Sequence, residues 1–561
     1  MNCVHRLAVG FLTVAICLVG PLAFAKTLLF VPQDNRPVSD SYTVETAEWA
    51  GYKVLTPPDY LLSGKYYKGS PEQLWQWVEQ NAMSADAMIL STDSLIYGGL
   101  VDSRKHELDF STLVRRADGF ERLKSFHPNV PIYAFGTVMR SPRASGGGVE
   151  PDYYDVYGPS IFKIAALQDK LDAVGLTTEE SSELFVLTTG VPVEYLQDWF
   201  NRRDKNMRIN QQLIRDAAKG IFKYFSLGHD DTSNYSQSAL ESRYLKKSGA
   251  SISPEVYGSF PGADQLGLLM VARAHDDFYG LTPKISVIYP LGGADKTVPS
   301  YEDQTVGKTL AEHIKAIGGV MAGREKPDLL LAINTPLGTA TGESASFENF
   351  PIMLDYTKVF LGQIETAINQ RIPVSLADIA YSNGSDNTLV YGLMQDNVLY
   401  KLTAYNGWNT ASNSIGYALA QGILAPQMSS QGHKNMMTTQ LLDNWAYQAN
   451  IRKLIYRQQE VIRTDNVPYS GTLNEEMESI MKEKVQTYAE KYLGVDPRTV
   501  NARFPWSRLF EVEIIVHDTP DVVLERDERL RKQKEEAARL QREKELAELA
   551  AQRQVAQQAK S

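Results

Sequence analysis

The sequence predicts an α/β protein with a parallel sheet, in the form of either a barrel-like (β/α) core or a doubly wound core. Six apolar, strand-like segments each end in a short cluster of Asp, Asn and Gly, and they begin at residues 28, 87, 224, 329, 376 and 402. Buried parallel strands are continuous apolar runs, and α/β proteins bind ligands beyond the carboxyl ends of such strands. Helical patterns separate further strand-like runs at 53–58, 130–140, 184–191 and 284–293. This alternation favours parallel pairing with right-handed crossovers.

The first 25 residues have the composition of a secretory signal peptide. A basic start precedes an apolar run over 7–18, and Ala23-Phe24-Ala25 forms a small-x-small cleavage site. The run is too short, and too soon followed by polar sequence, for a spanning helix; an uncleaved anchor is the alternative. Both cysteines, Cys3 and Cys17, lie within this segment. We therefore expect an exported protein, periplasmic or secreted, whose mature chain has neither a disulfide nor a thiol nucleophile.

The chain of 561 residues is long for one domain and divides by composition. After the signal peptide, residues 26–426 form the predicted α/β core, and residues 427–524 are mostly helical with a late strand. Residues 525–561 contain no Gly or Pro and place opposite charges four residues apart. We interpret them as a charged helical or partly disordered tail, with a weak coiled coil as the alternative.

The charge and hydropathy of the chain limit its partners. The formal net charge of −10 argues against nucleic acid or anionic lipid. After the signal peptide, no stretch is apolar for long enough to span a bilayer. We therefore expect a glycan or another small molecule as the partner, and the sequence does not predict an oligomeric state.

The strongest candidate for chemistry is the adjacent pair Asp230 and Asp231, at the end of the strand-like run that starts at residue 224. Ionising two carboxylates this close together is unfavourable, so one pKa should rise while the other stays low. Such a pair supplies the acid and the anion that glycoside hydrolysis requires. In substrate-assisted glycosidases, one of two adjacent Asp residues orients an N-acetyl group instead. The alternative is that one of the pair only caps the following helix.

Polar and aromatic side chains after the other strands are predicted to position the substrate. An Arg beside an Asp can bind a carboxylate or hold that Asp in place, and Trp or Tyr beside amides and carboxylates suits a sugar. The candidates are Asp34, Arg36, Asp93, Tyr97, Arg104, Arg140, Asp264, Asp386, Asn406, Trp408 and Asn409. Structural alternatives are a turn for Asp34 and Arg36, a helix N-cap for Asp264, and core packing for Trp408.

The sequence predicts no cofactor. It lacks a Walker A loop, a dinucleotide fingerprint and a G-x-S-x-G elbow, and no two histidines have the spacing of H-E-x-x-H. The Gly-rich loop at 145–148 lacks the strand-to-helix context of a phosphate loop. An oxygen-only Ca²⁺ or Mg²⁺ site that includes Asp230 and Asp231 stays open.

Six motifs in order along the chain resemble the bacterial domain-of-unknown-function family 4127. They read PQDNRP, STDSLIYGGLVDSR, LGHDDTS, PGADQ, IAYSNGSD and YNGWNTASNSIG. The resemblance covers about residues 26–517 and implies one coherent unit, but no established activity. His229 stands here where the family motif GQDD has Gln.

We therefore expect an exported, glycosidase-like hydrolase that acts on a cell-envelope or environmental glycan, with N-acetylhexosamine as one candidate component. Two alternatives stay open: a non-catalytic periplasmic protein that binds a carbohydrate or other ligand, and a metal-dependent hydrolase of another bond. Convergence of the strand-end side chains in one cleft would support all three, and the residues to examine are Asp34, Asp93, Asp231, Asp386 and Asn409.

Overall fold

The computed structural model of the protein describes residues 25–65, 67–143, 148–462, 475–506 and 508–558. The predicted signal peptide up to residue 24, and residues 145–147 of the Gly-rich loop, lie outside these ranges. The strands are β1 (Thr27–Val31), β2 (Lys53–Leu55), β3 (Ala87–Ser91), β4 (Ile132–Val138), β5 (Tyr224–His229), β6 (Tyr257–Pro261), β7 (Lys284–Ile288), β8 (Val320–Met321), β9 (Leu329–Asn334), β10 (Gly342–Glu343), β11 (Val374–Asp378), β12 (Tyr381–Ser382), β13 (Ala404–Asn406), β14 (Val500–Arg503) and β15 (Glu513–Val516).

Helices connect nearly all of these strands. The α-helices are α1 (Ser41–Trp49), α2 (Pro71–Asn81), α3 (Thr92–Ile96), α4 (Leu100–Lys105), α5 (Phe110–Ala117), α6 (Gly119–Phe126), α7 (Tyr154–Ala173), α8 (Thr178–Gly190), α9 (Val193–Ala218), α10 (Gln237–Ser248), α11 (Leu266–Tyr279), α12 (Val306–Ala316), α13 (Asp355–Asn369), α14 (Asn387–Gln395), α15 (Ala411–Leu424), α16 (Ser430–Gln440), α17 (Arg452–Ile462), α18 (Glu475–Leu493) and α19 (Pro520–Gln558). A π-helical segment, Leu441–Ile451, joins α16 to α17.

Eleven of the described strands form two parallel sheets, each at the centre of one lobe. The first lobe has the strand order β2-β1-β3-β4-β5-β6, and the second has β8-β7-β9-β11-β13. In both sheets the second strand along the chain lies at the edge, and the order then continues on the other side of the first strand. This is the order of a doubly wound sheet, with helices on both faces. The prediction of a parallel α/β protein is confirmed.

One apolar core joins the two lobes. Helix α11 packs on the first sheet, helix α15 packs on the second, and the two helices pack against each other. The core continues from Phe30 and Phe135 of the first sheet through both helices to Leu331 and Ile333 of the second. Because this interface is apolar and continuous, we expect the lobes to keep a fixed relative position.

The predicted strand at 184–191 was wrong, because these residues belong almost entirely to α8. The helix begins with a capping box: the Thr177 hydroxyl accepts a hydrogen bond from the Glu180 amide, and the Glu180 carboxylate accepts one from the Thr177 amide. A short apolar run cannot be assigned to strand or helix by periodicity alone. Here the run faces solvent in part, with Phe185 71% exposed.

The C-terminal region is mostly helical, as expected, and contains the antiparallel pair β14 and β15. Helix α19 continues into the charged tail. Two of its oppositely charged pairs with this four-residue spacing form ion pairs, Asp527–Arg531 at 3.1 Å and Glu528–Lys532 at 2.7 Å. No helix within the described ranges is both long and apolar enough to cross a membrane.

Candidate functional site

A cleft of about 340 Å³ lies where the carboxyl ends of the strands of both lobes meet. The loops after β1, β4, β5 and β6 form one wall together with α4, and the loops after β7, β12 and β13 form the opposite wall. The segment between β14 and β15 closes one side. The lining residues are Arg36, Leu100, Val101, Arg104, Arg140, Val149, Asp230, Asp231, Asp264, Tyr301, Asn383, Asn409, Tyr456, Trp506, Arg508, Leu509 and Phe510.

The adjacent carboxylates of the sequence prediction lie in this cleft, and each binds its own arginine. Strand β5 ends at His229, so Asp230 and Asp231 follow it directly. Arg104 Nη2 donates to Asp230 Oδ2 at 2.5 Å, and Arg140 Nη1 donates to Asp231 Oδ2 at 2.7 Å. Glu150 Oε1 accepts from Arg140 Nε at 2.6 Å and lies 3.7 Å from Arg104 Nη1. The result is a network of ion pairs in which arginines and carboxylates alternate along the wall.

Asp231 differs from Asp230 in backbone conformation and in exposure. Its φ of 31° lies in the left-handed region, which is uncommon for residues other than Gly. Its side chain is 23% exposed, against 11% for Asp230. Burial and the Asp230 charge raise the pKa of Asp231 above its ordinary value, although Arg140 and Arg104 oppose the change. The raised pKa makes Asp231 a candidate proton donor.

A third carboxylate, Asp264, is held on the same wall after β6. Its Oδ1 accepts from Arg36 Nη2 at 2.6 Å, and its Oδ2 accepts from the indole Nε1 of Trp408 at 3.1 Å. Arg36 Nε also donates to Asp34 Oδ2 at 3.0 Å. Although burial raises the pKa of Asp264, Arg36 and the hydrogen bond from Trp408 outweigh it, and the pKa lies below its ordinary value. Asp264 is thus an anion fixed by its partners rather than the helix cap that the sequence allowed.

The opposite wall consists of residues with left-handed backbone. Tyr301, Asn383 and Asn409 have φ values of 67°, 61° and 56°. Glu343 accepts hydrogen bonds from the Tyr301 hydroxyl at 3.1 Å and from Asn383 Nδ2 at 2.9 Å, and the Asn383 amide donates to the Asn409 carbonyl at 2.7 Å. The Thr232 amide donates to the Tyr301 carbonyl at 2.9 Å, which links this wall to the Asp pair.

Asp93 lies in the layer behind the cleft. It is 2% exposed and accepts a hydrogen bond from Thr137 Oγ1 at 2.9 Å. Burial raises the pKa of Asp93 to about 7; the hydrogen bond from Thr137 opposes the change and the charge of Asp230 adds to it. Asp93 therefore acts on the cleft through charge, without lining it.

Of the 13 residues predicted for the site, seven line the cleft: Arg36, Arg104, Arg140, Asp230, Asp231, Asp264 and Asn409. Asp34 and Trp408 hold lining residues, as described above.

Three predicted residues lie elsewhere. Tyr97 lines a separate cavity together with His106. Asp386 caps α14 by accepting from the Thr388 amide at 2.8 Å, and Asn406 accepts from the Trp408 amide at 3.0 Å.

Sequence reasoning missed the contribution of the C-terminal region. Trp506 and Arg508 come from the segment between β14 and β15, and Trp506 Nε1 donates to Asn35 Oδ1 at 2.8 Å. The run FPWSRLF combines aromatic and basic side chains, which is a signal for a binding surface, but nothing in it indicates contact with the first lobe. Tyr301 carries no comparable signal.

The described residues contain no group of three or more His, Cys, Asp or Glu side chains placed to hold a metal ion. Asp230 and Asp231 each direct an oxygen to an arginine instead. We therefore derive no step through a metal.

Fold and site together define a two-lobed, doubly wound α/β protein with a charged cleft between the strand ends. The chain belongs to the protein family of unknown function DUF4127, whose model matches residues 28–515, so the predicted resemblance is confirmed. No curated protein matches the chain.

Proposed function

We propose that the protein is an exported glycoside hydrolase in which Asp231 is the general acid and Asp230 is the anionic carboxylate. One observation carries the proposal: two adjacent carboxylates share one cleft wall, and each has a different environment and its own arginine. Environments that separate the protonation of two carboxyl groups are the general basis for assigning acid and base roles.

In the proposed reaction, Asp231 gives its proton to the glycosidic oxygen as the bond from that oxygen to the anomeric carbon breaks. The Asp230 carboxylate stabilises the positive charge that develops on the sugar ring. Water then adds its hydroxyl to the anomeric carbon, and its remaining proton restores Asp231. Atoms and charges balance without a further reactant.

The charge balance of the cleft favours a neutral, polyhydroxylated substrate over a phosphate or nucleotide. The four lining arginines are paired with six carboxylates, three of which also line the cleft, so the walls present paired donors and acceptors without an excess of positive charge. Aromatic side chains lie among them, which is a usual surface for sugars. The six carboxylates are Asp34, Asp230, Asp231, Asp264, Glu150 and Glu511.

The N-terminal sequence supports a substrate that lies outside the cytoplasm. A basic start, an apolar run and a small-x-small site are typical of export. The proposal therefore names glycans of the cell envelope or the surroundings as substrates.

The test is hydrolysis of a glycan panel by the wild type and by the variants Asp230→Asn and Asp231→Asn. Each variant should lose activity by about 10²- to 10⁴-fold, because it loses a proton donor or an anion. Asp109→Asn is the control, since Asp109 is exposed, caps α5 and does not line the cleft. Circular dichroism should show the same fold for all four proteins. Full activity in both cleft variants would refute the assignment.

The two-lobed architecture also supports a second candidate, a non-catalytic carbohydrate-binding protein with the ligand held between the lobes. Calorimetry on the same panel separates the candidates. Saturable binding without product, over an incubation long enough for many turnovers, would favour the binding protein. The continuous apolar core between the lobes favours the enzyme, because it opposes the hinge closure that such binding proteins use.

A further inference from the structure

Two arginines of the cleft retain hydrogen-bond donors that no group among the described residues uses. Arg36 donates through Nε and Nη2 to Asp34, Ser39 and Asp264, and Arg508 donates through Nε and Nη2 to Glu511. Within the described part of the chain, Nη1 of each guanidinium has no hydrogen-bond partner. Arg36 is only 6% exposed, yet it lines the cleft. A buried guanidinium with an unused donor at a cleft wall calls for an acceptor on the ligand.

An apolar patch lies between these two donors. Trp506 is flanked by both guanidinium groups, whose central carbons lie 5.4 Å (Arg36) and 4.9 Å (Arg508) from its ring centre. Trp506 also forms a small apolar cluster with Val101 and Val149, and all three line the cleft. The ligand group that fits here therefore combines an acceptor oxygen with a small apolar end.

We infer that this part of the cleft is a subsite for the N-acyl group of an amino sugar. The carbonyl oxygen of an acetamido group has two lone pairs and accepts from Nη1 of both Arg36 and Arg508, and its methyl group contacts Trp506, Val101 and Val149. The inference rests on the proposed function for the carbohydrate nature of the ligand, and it narrows the substrate class to glycans that contain N-acylated hexosamine.

The charge around the subsite selects among acceptor groups. Arg36 and Arg508 are already matched by three carboxylates, namely Asp34, Asp264 and Glu511. A carboxylate on the ligand would therefore add negative charge where it is already in excess. A free ammonium on the ligand would be repelled by the guanidinium groups and would find no acceptor on the apolar patch. A neutral amide carbonyl meets neither penalty.

The test uses monosaccharides, which have no glycosidic bond to cleave, so binding is measured separately from hydrolysis. Isothermal titration calorimetry compares N-acetylglucosamine with glucose, glucosamine and glucuronic acid, and N-acetylgalactosamine with galactose. In at least one of the two series, the N-acetyl sugar should bind about tenfold or more tightly than its partners, the effect of one hydrogen bond to a charged group. Equal affinities, tighter binding of glucuronic acid or glucosamine, or no binding of either N-acetyl sugar would overturn the inference.

Two variants locate the effect. Arg508→Lys keeps a positive charge beside the buried Glu511 but removes Nη1, and Val101→Thr keeps the side-chain shape but replaces a methyl group by a hydroxyl. Both should weaken binding of the N-acetyl sugar severalfold and leave binding of its hydroxyl counterpart unchanged. Arg143→Lys is the control, because the Arg143 guanidinium lies over Phe162 outside this cleft. An equal effect of Arg508→Lys on both sugars would refute the subsite.

The outcomes separate this inference from the proposed function. An N-acetyl preference in binding, with no hydrolysis of any glycan, would leave the subsite standing and remove the hydrolase. Hydrolysis of glycans that lack N-acyl groups, with no preference for N-acetyl sugars in binding, would support the hydrolase and remove the subsite.

Discussion

The buried carboxyl group of Asp93 makes the free energy of unfolding depend on pH in a predictable way. Burial raises its pKa from 3.8 to about 7 in the folded protein; the hydrogen bond from Thr137 opposes this, and the nearby charge of Asp230 adds to it. In the unfolded chain the group returns to its ordinary pKa. Between these two values the folded state binds a proton that the unfolded state has lost. The free energy of unfolding therefore falls as pH rises through this window, and the contribution of Asp93 is fully lost above pH 7.

The difference between the two pKa values sets the magnitude. About three pKa units at 1.36 kcal/mol each correspond to about 4 kcal/mol, of which about 3 kcal/mol falls between pH 5 and pH 8. Asp93→Asn removes the ionisation while keeping the size of the side chain and an acceptor for Thr137. The free energy of unfolding of the variant minus that of the wild type should therefore be about 3 kcal/mol larger at pH 8 than at pH 5.

Urea unfolding at the two pH values, followed by tryptophan fluorescence, measures this difference. Asp109→Asn is the matched control: hydrogen bonds from Ser111 and Thr112 lower the pKa of Asp109 to about 2, so it does not titrate between pH 5 and pH 8. A stability difference between Asp93→Asn and the wild type that is the same at both pH values would refute the reasoning.

Two further predictions concern the residues that hold the cleft walls. His229 Nε2 lies 2.8 Å from Ser259 Oγ, and its Nδ1 lies 3.4 Å from Asp303. His229→Leu should therefore lower the free energy of unfolding by about 2 kcal/mol, whereas His229→Gln should recover most of that loss. Equal losses for the two variants in urea unfolding would contradict this prediction. Asn409 has a φ of 56°, in the left-handed region. Asn409→Val should therefore destabilise the protein by about 1–3 kcal/mol and Asn409→Gly by much less, measured as the shift in calorimetric melting temperature. An unchanged melting temperature in Asn409→Val would argue against left-handed strain at this position.

Sequence patterns predicted the sheets well where strands are buried on both faces. Strands such as β3 and β9 are continuous apolar runs, because helices cover both sides of each sheet. Strand β6 was missed because its sequence, YGSFP, contains Gly and Pro, and it lies at the edge of the first sheet.

Site residues were predictable only as far as parallel topology determines them. Asp230, Asp264 and Asn409 follow parallel strands, and the carboxyl ends of such strands converge. The same reasoning also selected Asp386, whose carboxylate caps a helix, because the pattern of a polar residue after a strand does not distinguish a cap from a ligand contact. Trp506 and Arg508 reach the cleft from a distant antiparallel pair, a placement that depends on tertiary packing.

The backbone of the cleft supports an enzyme with a preorganised site. Of the seven non-Gly residues with positive φ in the described ranges, four line the cleft: Asp231, Tyr301, Asn383 and Asn409. Each such conformation costs on the order of 1–3 kcal/mol and persists only where surrounding contacts determine it. One of these contacts, from the Thr232 amide to the Tyr301 carbonyl, joins the two lobes, and a shared apolar core holds the lobes together. A site that only had to enclose a ligand could form by closure of unstrained lobes. Catalysis by fixed charges requires groups that are in place before the ligand binds, and a backbone held in this way fits that requirement.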